Sequence, residues 1–336
     1  MVIKNVFKIK WLLLISFGTL LIVLLTLFNT ELAYAAEGEL QTTSELSISP
    51  VYFFLIFLFS SVIVGIFAVL GGVGGGVIFT PLMLGFTAID SFIIRATGLL
   101  VAMAGSLVAA RPFLLRGLAN IRLIFFISVP YSICAVFGAL LAGYVHESAG
   151  ETGEGLLRLG LGVVVVLVSA ILLFWGKRVD YPEVKRTDRF TEVLRLNMSY
   201  WEASLDKVIN YRLKRAPVGI LLVCFIGLIS GLFGLGAGWA MVPMFNMVML
   251  APIKVAAASS KVLIGIGDTA AIWPYLSGGG IFPIFAAPCM IGVAFGTYIG
   301  AKIMLVVRAG FVRYLIILVL FGSGAKLIVD GIQRLT

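Results

Sequence analysis

The sequence has few charged side chains for its length. Only 12% of its 336 residues are Asp, Glu, Lys or Arg, and it contains a single histidine. Hydrophobic residues make up 61%, and the mean hydropathy is +1.12. A soluble domain is excluded by this balance, and several apolar runs reach the roughly 20 residues that span a bilayer. The composition predicts an all-α polytopic membrane protein that contacts the lipid bilayer.

Cysteine is also scarce. Cys134, Cys224 and Cys289 lie inside apolar stretches and form no C-x-x-C pair, which argues against a metal site or a disulfide framework. A nucleotide-binding G-x-x-x-x-G-K-[ST] sequence is absent, so ATP hydrolysis by this chain is not expected. We therefore expect no cofactor, no metal, no catalytic residues and no enzymatic activity.

Acidic residues are fewer than basic ones, giving a net charge of +9. In a soluble domain this excess would suggest a nucleic-acid partner. Here the basic residues cluster in loops between apolar runs, which is the pattern of cytoplasmic loops in membrane proteins. The distribution of charge predicts that the basic loops face the cytoplasm in a protein of the cell membrane. Nucleic-acid binding is not expected.

Glycine, by contrast, is abundant and is concentrated in a run that occurs twice. The first run, 71–81, reads GGVGGGVIFTP, and the second, 233–243, reads FGLGAGWAMVP. Small residues and prolines around the two runs match at one offset of 162 positions: Gly65 and Gly227, Gly72 and Gly234, Gly74 and Gly236, Gly76 and Gly238, Pro81 and Pro243, Ala96 and Ala258, Gly105 and Gly267, and Gly117 and Gly279. This is an internal duplication, which is common in membrane transporters.

The duplication divides the chain into two transmembrane repeats, 51–176 and 216–331. Each repeat contains five apolar segments: 51–70, 77–89, 91–110, 121–144 and 155–175 in the first, and 217–235, 239–250, 255–276, 281–305 and 311–329 in the second. Since an odd number of crossings reverses the direction of the next repeat, the two are expected to have inverted topology. The basic loops agree with that orientation.

Two regions lie outside the repeats. Residues 1–36 combine early lysines, an apolar run and the small residues of Ala33-Tyr34-Ala35, which is typical of a signal peptide or, given the length of the run, of an extra N-terminal transmembrane helix. The segment 177–215 carries ten basic and six acidic residues and is expected to be cytoplasmic. Its apolar residues recur near helical spacing, which favours either an amphipathic helix at the membrane face or a plain linker. Those residues are Phe190, Val193, Leu194, Trp201, Leu205 and Val208.

The segments that follow the glycine runs are too short to cross a membrane. At about 1.5 Å per residue, 77–89 covers only about 20 Å of a hydrocarbon core near 30 Å. We therefore expect a broken, re-entrant helix hairpin in each repeat, with the glycine run within the membrane. The free N–H groups and the dipole at the start of each following helix favour an anion. Two such helix ends would meet near the midplane and form a small-anion site, although tight helix packing also uses glycine.

The candidate binding residues come from both repeats. They comprise the glycines of both runs and polar residues on the segments that follow: Gly72, Gly74, Gly75, Gly76, Thr80, Thr97, Gly234, Gly236, Gly238, Ser259, Ser260 and Lys261. With the segments as drawn, Asp268 is the only acidic residue within a core span, so it is the candidate for ion or proton coupling. Lys261 could instead snorkel to the interface, and Asp268 could simply bond a neighbouring helix. Arg95 is a weaker candidate, because it lies near a helix end and could snorkel.

The doubled runs closing in Pro81 and Pro243 are accompanied by other repeated motifs. These are Ala96-Thr97-Gly98 and Ala258-Ser259-Ser260, Gly117 and Gly279, and Phe137-Gly138 and Phe295-Gly296. Together they resemble the sulfite exporter TauE/SafE family of membrane transporters, over about residues 51–331. The resemblance implies export of sulfite or a small organosulfonate. Gly98 departs from the Ser or Thr expected in the first half, and Lys261 stands just after the motif in the second.

Other functions remain open on the sequence. Gly265-Ile266-Gly267-Asp268 superficially resembles the G-x-G-D motif of intramembrane aspartyl proteases, but catalysis of that kind needs a second carboxylate, which no other core span provides. A passive anion channel and a structural role in the membrane are further alternatives. A homodimer is also left open. The preferred hypothesis is a secondary transporter that works by alternating access with ion or proton coupling.

Overall fold

The computed structural model describes residues 50–87, 89–174, 182, 184, 187–202, 206–304 and 309–335. The signal peptide or extra helix predicted at 1–36 lies outside these residues. The helices of the first half are α1 (Pro50–Gly71), α2 (Gly75–Phe86), α3 (Ser91–Leu115) and α4 (Ile121–Phe174). Between the halves lie α5 (Arg189–Val193), β1 (Met198–Glu202) and β2 (Lys207–Tyr211). The second half contains α6 (Ala216–Phe233), α7 (Gly238–Pro243), a π-helical turn (Met244–Val248), α8 (Ile253–Ser277), α9 (Pro283–Met304) and α10 (Ala309–Leu335).

The predicted multi-pass helical architecture is confirmed. Seven helices in the described part of the chain are long and apolar enough to cross a membrane, and α2 is a shorter apolar helix. Large apolar side chains point outward from several of these helices, among them Phe59, Phe125, Phe225 and Phe295. Exposed apolar surface of this extent is typical of helices that face lipid.

Small residues allow the helices to pack closely in pairs. The backbone of α9 lies against that of α1, and the glycines at the contact are spaced four apart: Gly292, Gly296 and Gly300. The first part of α4 contacts α6 in the same way, at Gly138, Gly227 and Gly231. Small residues at helix crossings are the usual means of association in membranes, where close backbone approach replaces the hydrophobic effect.

The third apolar segment of each repeat forms one helix, α3 in the first and α8 in the second, and these two helices pack against each other at the centre of the bundle. Phe92 at the start of α3 contacts Tyr275 near the end of α8, with ring centroids 4.9 Å apart. At the other end, the residues after α3 pack against the first turns of α8, through Ala119 and Ala258. The two helices are therefore antiparallel and line up along their lengths.

A sharp bend divides α4 at Gly150, which has non-helical dihedral angles of φ 49° and ψ −132°. The sequence predicts a loop here, carrying Glu147, Glu151 and Glu154. That prediction is wrong, because helix resumes directly after Gly150 and Glu154 is buried within it. The second arm, 151–174, packs against α10. The predicted fourth and fifth segments are thus two arms of one bent helix.

Of the two interpretations left open for 177–215, the amphipathic helix is wrong for the described residues. Apart from the single turn of α5, the described residues form an antiparallel hairpin in which Trp201 pairs with Val208. Tyr200, Tyr211 and Leu213 are buried, and their exposed neighbours along the strands alternate with them. This period of two is that of a strand with one covered face. We call α5, β1 and β2, within 187–202 and 206–213, the central subdomain.

Candidate functional site

Two short turns interrupt the helices at the glycine runs. In the first glycine turn, 72–74, Gly72 and Gly74 have φ of +69° and +100°, and α2 begins directly after it. In the second glycine turn, 234–236, Gly234 and Gly236 both have φ of +67°, and α7 begins at Gly238. Residues with side chains rarely adopt these angles, so glycine is what permits the chain to break and restart there.

The two glycine turns touch each other. A Cβ placed on Gly238 would overlap the carbonyl oxygen of Val73, and one on Gly76 would lie 2.6 Å from the carbonyl oxygen of Leu235. The Cα of Gly238 is 3.6 Å from the Cβ position of Gly74. The first residues of α2 and α7 therefore meet backbone to backbone, as the sequence predicts. Both starts are buried.

A hydrogen bond from Thr80 stabilises the contact between the two glycine turns. The Thr80 hydroxyl donates a 2.7 Å hydrogen bond to the carbonyl oxygen of Gly234, so α2 holds the second glycine turn. A Cβ on Gly98 would overlap both the Thr80 hydroxyl and the Gly234 carbonyl. This crowding explains why glycine stands at 98, where the family resemblance suggests Ser or Thr. Because the Thr80 proton is used in this bond, only the lone pairs of its oxygen remain for another partner.

The other predicted hydroxyls and Lys261 lie along α3 and α8. The Thr97 hydroxyl is buried and has no hydrogen-bond partner among the described residues. Ser259 accepts a 2.9 Å hydrogen bond from the backbone N–H of Asn120, and Ser260 donates one of 2.9 Å to the carbonyl of Ala257. Lys261 is 9% exposed and forms no ion pair within the described ranges. The side chain of Lys261 is therefore nearly buried, without a carboxylate partner among the described residues.

Asp268 lies directly beside the second glycine turn. It is fully buried, and its Oδ1 accepts hydrogen bonds from the hydroxyls of Tyr131, at 2.5 Å, and Ser230, at 3.4 Å. Its Oδ2 has no hydrogen-bond partner in the described part of the chain and lies 3.1 Å from the Cβ position of Gly236. One carboxylate oxygen is therefore held by α4 and α6, and the other faces the turn.

The glycines of the G-x-G-D sequence have a packing explanation. A Cβ on Gly267 would overlap the ring of Tyr131, and one on Gly265 would lie 2.8 Å from Leu107. They make room for the tyrosine that bonds Asp268 and for the contact between α3 and α8. Sequence reasoning missed Tyr131 and Ser230. The only available signal was that both are polar side chains inside otherwise apolar segments.

Sequence reasoning also misjudged Arg95. On the sequence it is a weaker candidate that could snorkel, but in the structure it is fully buried and donates a 2.9 Å hydrogen bond through Nη2 to Glu154. Glu154 also accepts a 2.8 Å bond from Nε of Arg158, which in turn donates to the hydroxyl of Ser91. Asp268 is consequently not the only acidic residue inside a core helix. The spacing of four between Glu154 and Arg158 was a signal that could have indicated a pair on one helical face.

The central subdomain is attached to the end of α8 that carries Ser259. Asn120, fully buried, donates through Nδ2 to the carbonyl of Leu196, at 2.8 Å, and to the hydroxyl of Tyr211, at 2.9 Å. Burial raises the pKa of Tyr211 to about 12, despite the opposing effect of the Asn120 bond, so the phenol stays neutral. Asn120 thereby links the subdomain, the loop after α3 and Ser259.

Comparison with known proteins bears on this arrangement. The model of the family described as "Sulfite exporter TauE/SafE" matches residues 56–327. The chain is similar to a Bacillus subtilis protein named "Probable membrane transporter protein YunE", with 24% identity over 285 residues, 83% of this chain and 98% of that one. It is also similar to a "Probable membrane transporter protein" of Haemophilus influenzae, with 25% identity over 257 residues, 76% of this chain and 88% of that one.

No solved structure matches the chain. The family model covers both glycine turns, Arg95, Lys261 and Asp268, so the match includes the whole candidate site. This multi-pass membrane protein belongs to the sulfite exporter TauE/SafE family of membrane transporters.

Proposed function

We propose that the protein is a secondary transporter that exports a small anion, sulfite or a small organosulfonate, across the cell membrane. The observation that carries the proposal is the contact between the two glycine turns, with Asp268 buried against one of them. Broken helices that meet at the centre of the bundle supply unpaired N–H groups and helix dipoles for an anion, as discontinuous helices do in other transporters.

Asp268 is the proposed coupling residue. An ionisable group inside a membrane is costly and is usually retained for function. One of its oxygens lacks a hydrogen-bond donor among the described residues, and a proton on that oxygen would remove the buried charge. Lys261, seven residues earlier on α8, is about 10 Å away along the helix axis, too far to pair directly. We assign the anion to Lys261 and the helix starts, and the coupling ion to Asp268.

In this scheme alternating access uses two inverted repeats, 51–176 and 216–331. The packing pattern supports them. The first segment of each half contacts the fourth of the other, as α1 does with α9 and α6 with the first arm of α4. The third segment of each half, α3 or α8, packs against the third segment of the other half. The fifth segments, which are the second arm of α4 and α10, also pack against each other. A two-fold relation that exchanges the halves leaves this pattern unchanged. With basic loops inside, the central subdomain is cytoplasmic in this proposal.

The test is flux in proteoliposomes loaded separately with sulfite, sulfate, sulfoacetate and taurine, with and without a pH gradient. Saturable movement of sulfite or a sulfonate that is accelerated by the gradient supports a carrier. Flux that does not saturate and ignores the gradient would indicate a passive channel. If none of the four moved above the level of empty liposomes, the substrate assignment would be wrong.

A further inference from the structure

Arg95, Glu154 and Arg158 form a buried ion cluster next to the second glycine turn, and the charges of this cluster do not balance. Within the described ranges, Arg95 of α3 and Arg158 of α4 pair with one carboxylate, that of Glu154, and all three residues are at most 9% exposed. The cluster therefore carries one positive charge in excess. A buried charge without a partner is expensive, and proteins normally supply a counter-charge.

The excess is located on Arg95. Arg158 uses Nε, Nη1 and Nη2, which donate to Glu154, the carbonyl of Leu84 and the hydroxyl of Ser91. Arg95 uses Nη2 alone, and its Nε and Nη1 have no hydrogen-bond partner among the described residues. The buried guanidinium group of Arg95 therefore has N–H donors without acceptors among the described residues. Each buried donor without an acceptor costs free energy.

The position of Arg95 relates it to the transport site. Its backbone lies against Gly234, and Ala102, seven residues later on α3, lies against Gly236, the residue that Asp268 faces. Seven residues correspond to about 10 Å along a helix. Since α3 and α8 are antiparallel, Arg95 lies about 10 Å from the level of Asp268 in one direction, and Lys261 about 10 Å in the other. A basic side chain thus flanks the carboxylate on each side.

We propose that Arg95 is a second anion subsite, on the opposite side of Asp268 from Lys261. Its ligand is a small inorganic oxyanion or a halide, which accepts hydrogen bonds from the N–H groups that Glu154 leaves unused. A single negative charge there balances the cluster of Arg95, Glu154 and Arg158. That a transported anion occupies this subsite during transport rests on the proposed function. Anion binding at Arg95 does not depend on the proposed function.

The experiment measures binding of radiolabelled sulfite, and separately of radiolabelled chloride, to the full-length protein in nanodiscs. Arg95→Gln should weaken anion binding at one site at least tenfold. The reason is that losing a hydrogen bond to a charged group lowers the binding constant by about a factor of ten or more. Glu154 and Arg158 remain as a balanced pair in this variant, so folding should be preserved. Arg95→Lys keeps the charge and should restore part of the binding. Arg111→Gln, on the exposed face of the same helix, is the matched control.

The outcomes separate the two proposals. Loss of one site in Arg95→Gln, with that site retained in Lys261→Gln, supports the second subsite. Chloride binding that depends on Arg95, with no sulfite binding at all, would keep the subsite and overturn sulfite as the substrate. Binding of both anions that is unchanged in Arg95→Gln, or absent in the unmodified protein, would overturn the subsite.

Discussion

The hydroxyl of Tyr131 on α4 donates a 2.5 Å hydrogen bond to Asp268 on α8, and both side chains are fully buried. The bond joins a helix of the first half to one of the second half, directly beside the second glycine turn. Any change in the charge of Asp268 therefore acts on the packing between the halves, which is what a coupling residue needs.

Tyr131→Phe tests this link, because it removes the hydroxyl and keeps the ring. We expect gradient-driven flux to fall about tenfold or more, since a hydrogen bond to a charged group contributes about 1.5–3 kcal/mol. The readout is the initial rate in proteoliposomes with an imposed pH gradient. Tyr144→Phe, on an exposed position of the same helix, should leave the rate unchanged. Equal rates in Tyr131→Phe and the unmodified protein would remove Tyr131 from the coupling mechanism.

The glycine turns provide a matched pair of substitutions. Gly72 has positive φ but nothing within 4 Å of its Cβ position, so Gly72→Ala should cost only the backbone strain, about 1–2 kcal/mol. In Gly238→Ala the new methyl group would overlap the Val73 carbonyl of the other turn. We expect a larger loss of stability and no measurable flux, measured by thermal unfolding in detergent and by transport. Similar effects of the two substitutions would argue against a functional contact between the turns.

Glu154 should be among the most sensitive polar positions. Glu154→Gln leaves Arg95 and Arg158 without a carboxylate in a buried site, and breaking a buried pair in this way costs about 3–5 kcal/mol. Glu151→Gln, one turn earlier and exposed, is the control and should be neutral. Thermal unfolding of the three proteins decides the matter, and an unchanged midpoint for Glu154→Gln would show that the ion cluster contributes nothing to stability.

The attachment of the central subdomain should depend on pH through Asp188. Burial disfavours its ionised form, but hydrogen bonds from the hydroxyl of Thr191 and from the backbone N–H groups of Arg215 and Thr191 outweigh this and hold the pKa of Asp188 below its ordinary value of 3.8. A lowered pKa stabilises the folded state above that ordinary value, and the stabilisation is lost as the pH falls through the folded-state pKa.

Hydrogen exchange checks this prediction. Asp188→Ala should reduce amide protection in α5 and at the start of α6 at pH 7, and its difference from the unmodified protein should shrink below the ordinary pKa of 3.8. Glu192→Ala, exposed in the same helix, controls for the loss of a surface charge. A difference that is constant across this range would mean that the Asp188 charge does not hold the subdomain.

The sequence predicted most helices because a bilayer imposes long apolar runs, and it predicted the glycine turns because they are duplicated. Local patterns failed where two interpretations compete. The apolar residues of the central subdomain fit a helix loosely, but Tyr200, Tyr211 and Leu213 follow the strand period. The sequence places Glu154 in a loop because it lies with Glu147 and Glu151 between two apolar runs.

The site partners could not be predicted from one sequence. Thr80 with Gly234, Tyr131 with Asp268 and Arg95 with Glu154 are pairs brought together by packing between distant segments. Nothing in the spacing of these residues along the chain encodes the contacts. The types of residue were informative, however, since Asp268 and Lys261 were identified as costly groups inside a membrane helix.

Sulfite accumulation in inside-out vesicles with an imposed pH gradient tests whether Asp268 couples anion movement to the gradient. The unmodified protein should concentrate sulfite above the external level. Asp268→Asn keeps the size and the hydrogen-bond acceptor but not the charge, so it should exchange sulfite without concentrating it. Equal accumulation by Asp268→Asn and by the unmodified protein would show that Asp268 is not the coupling residue.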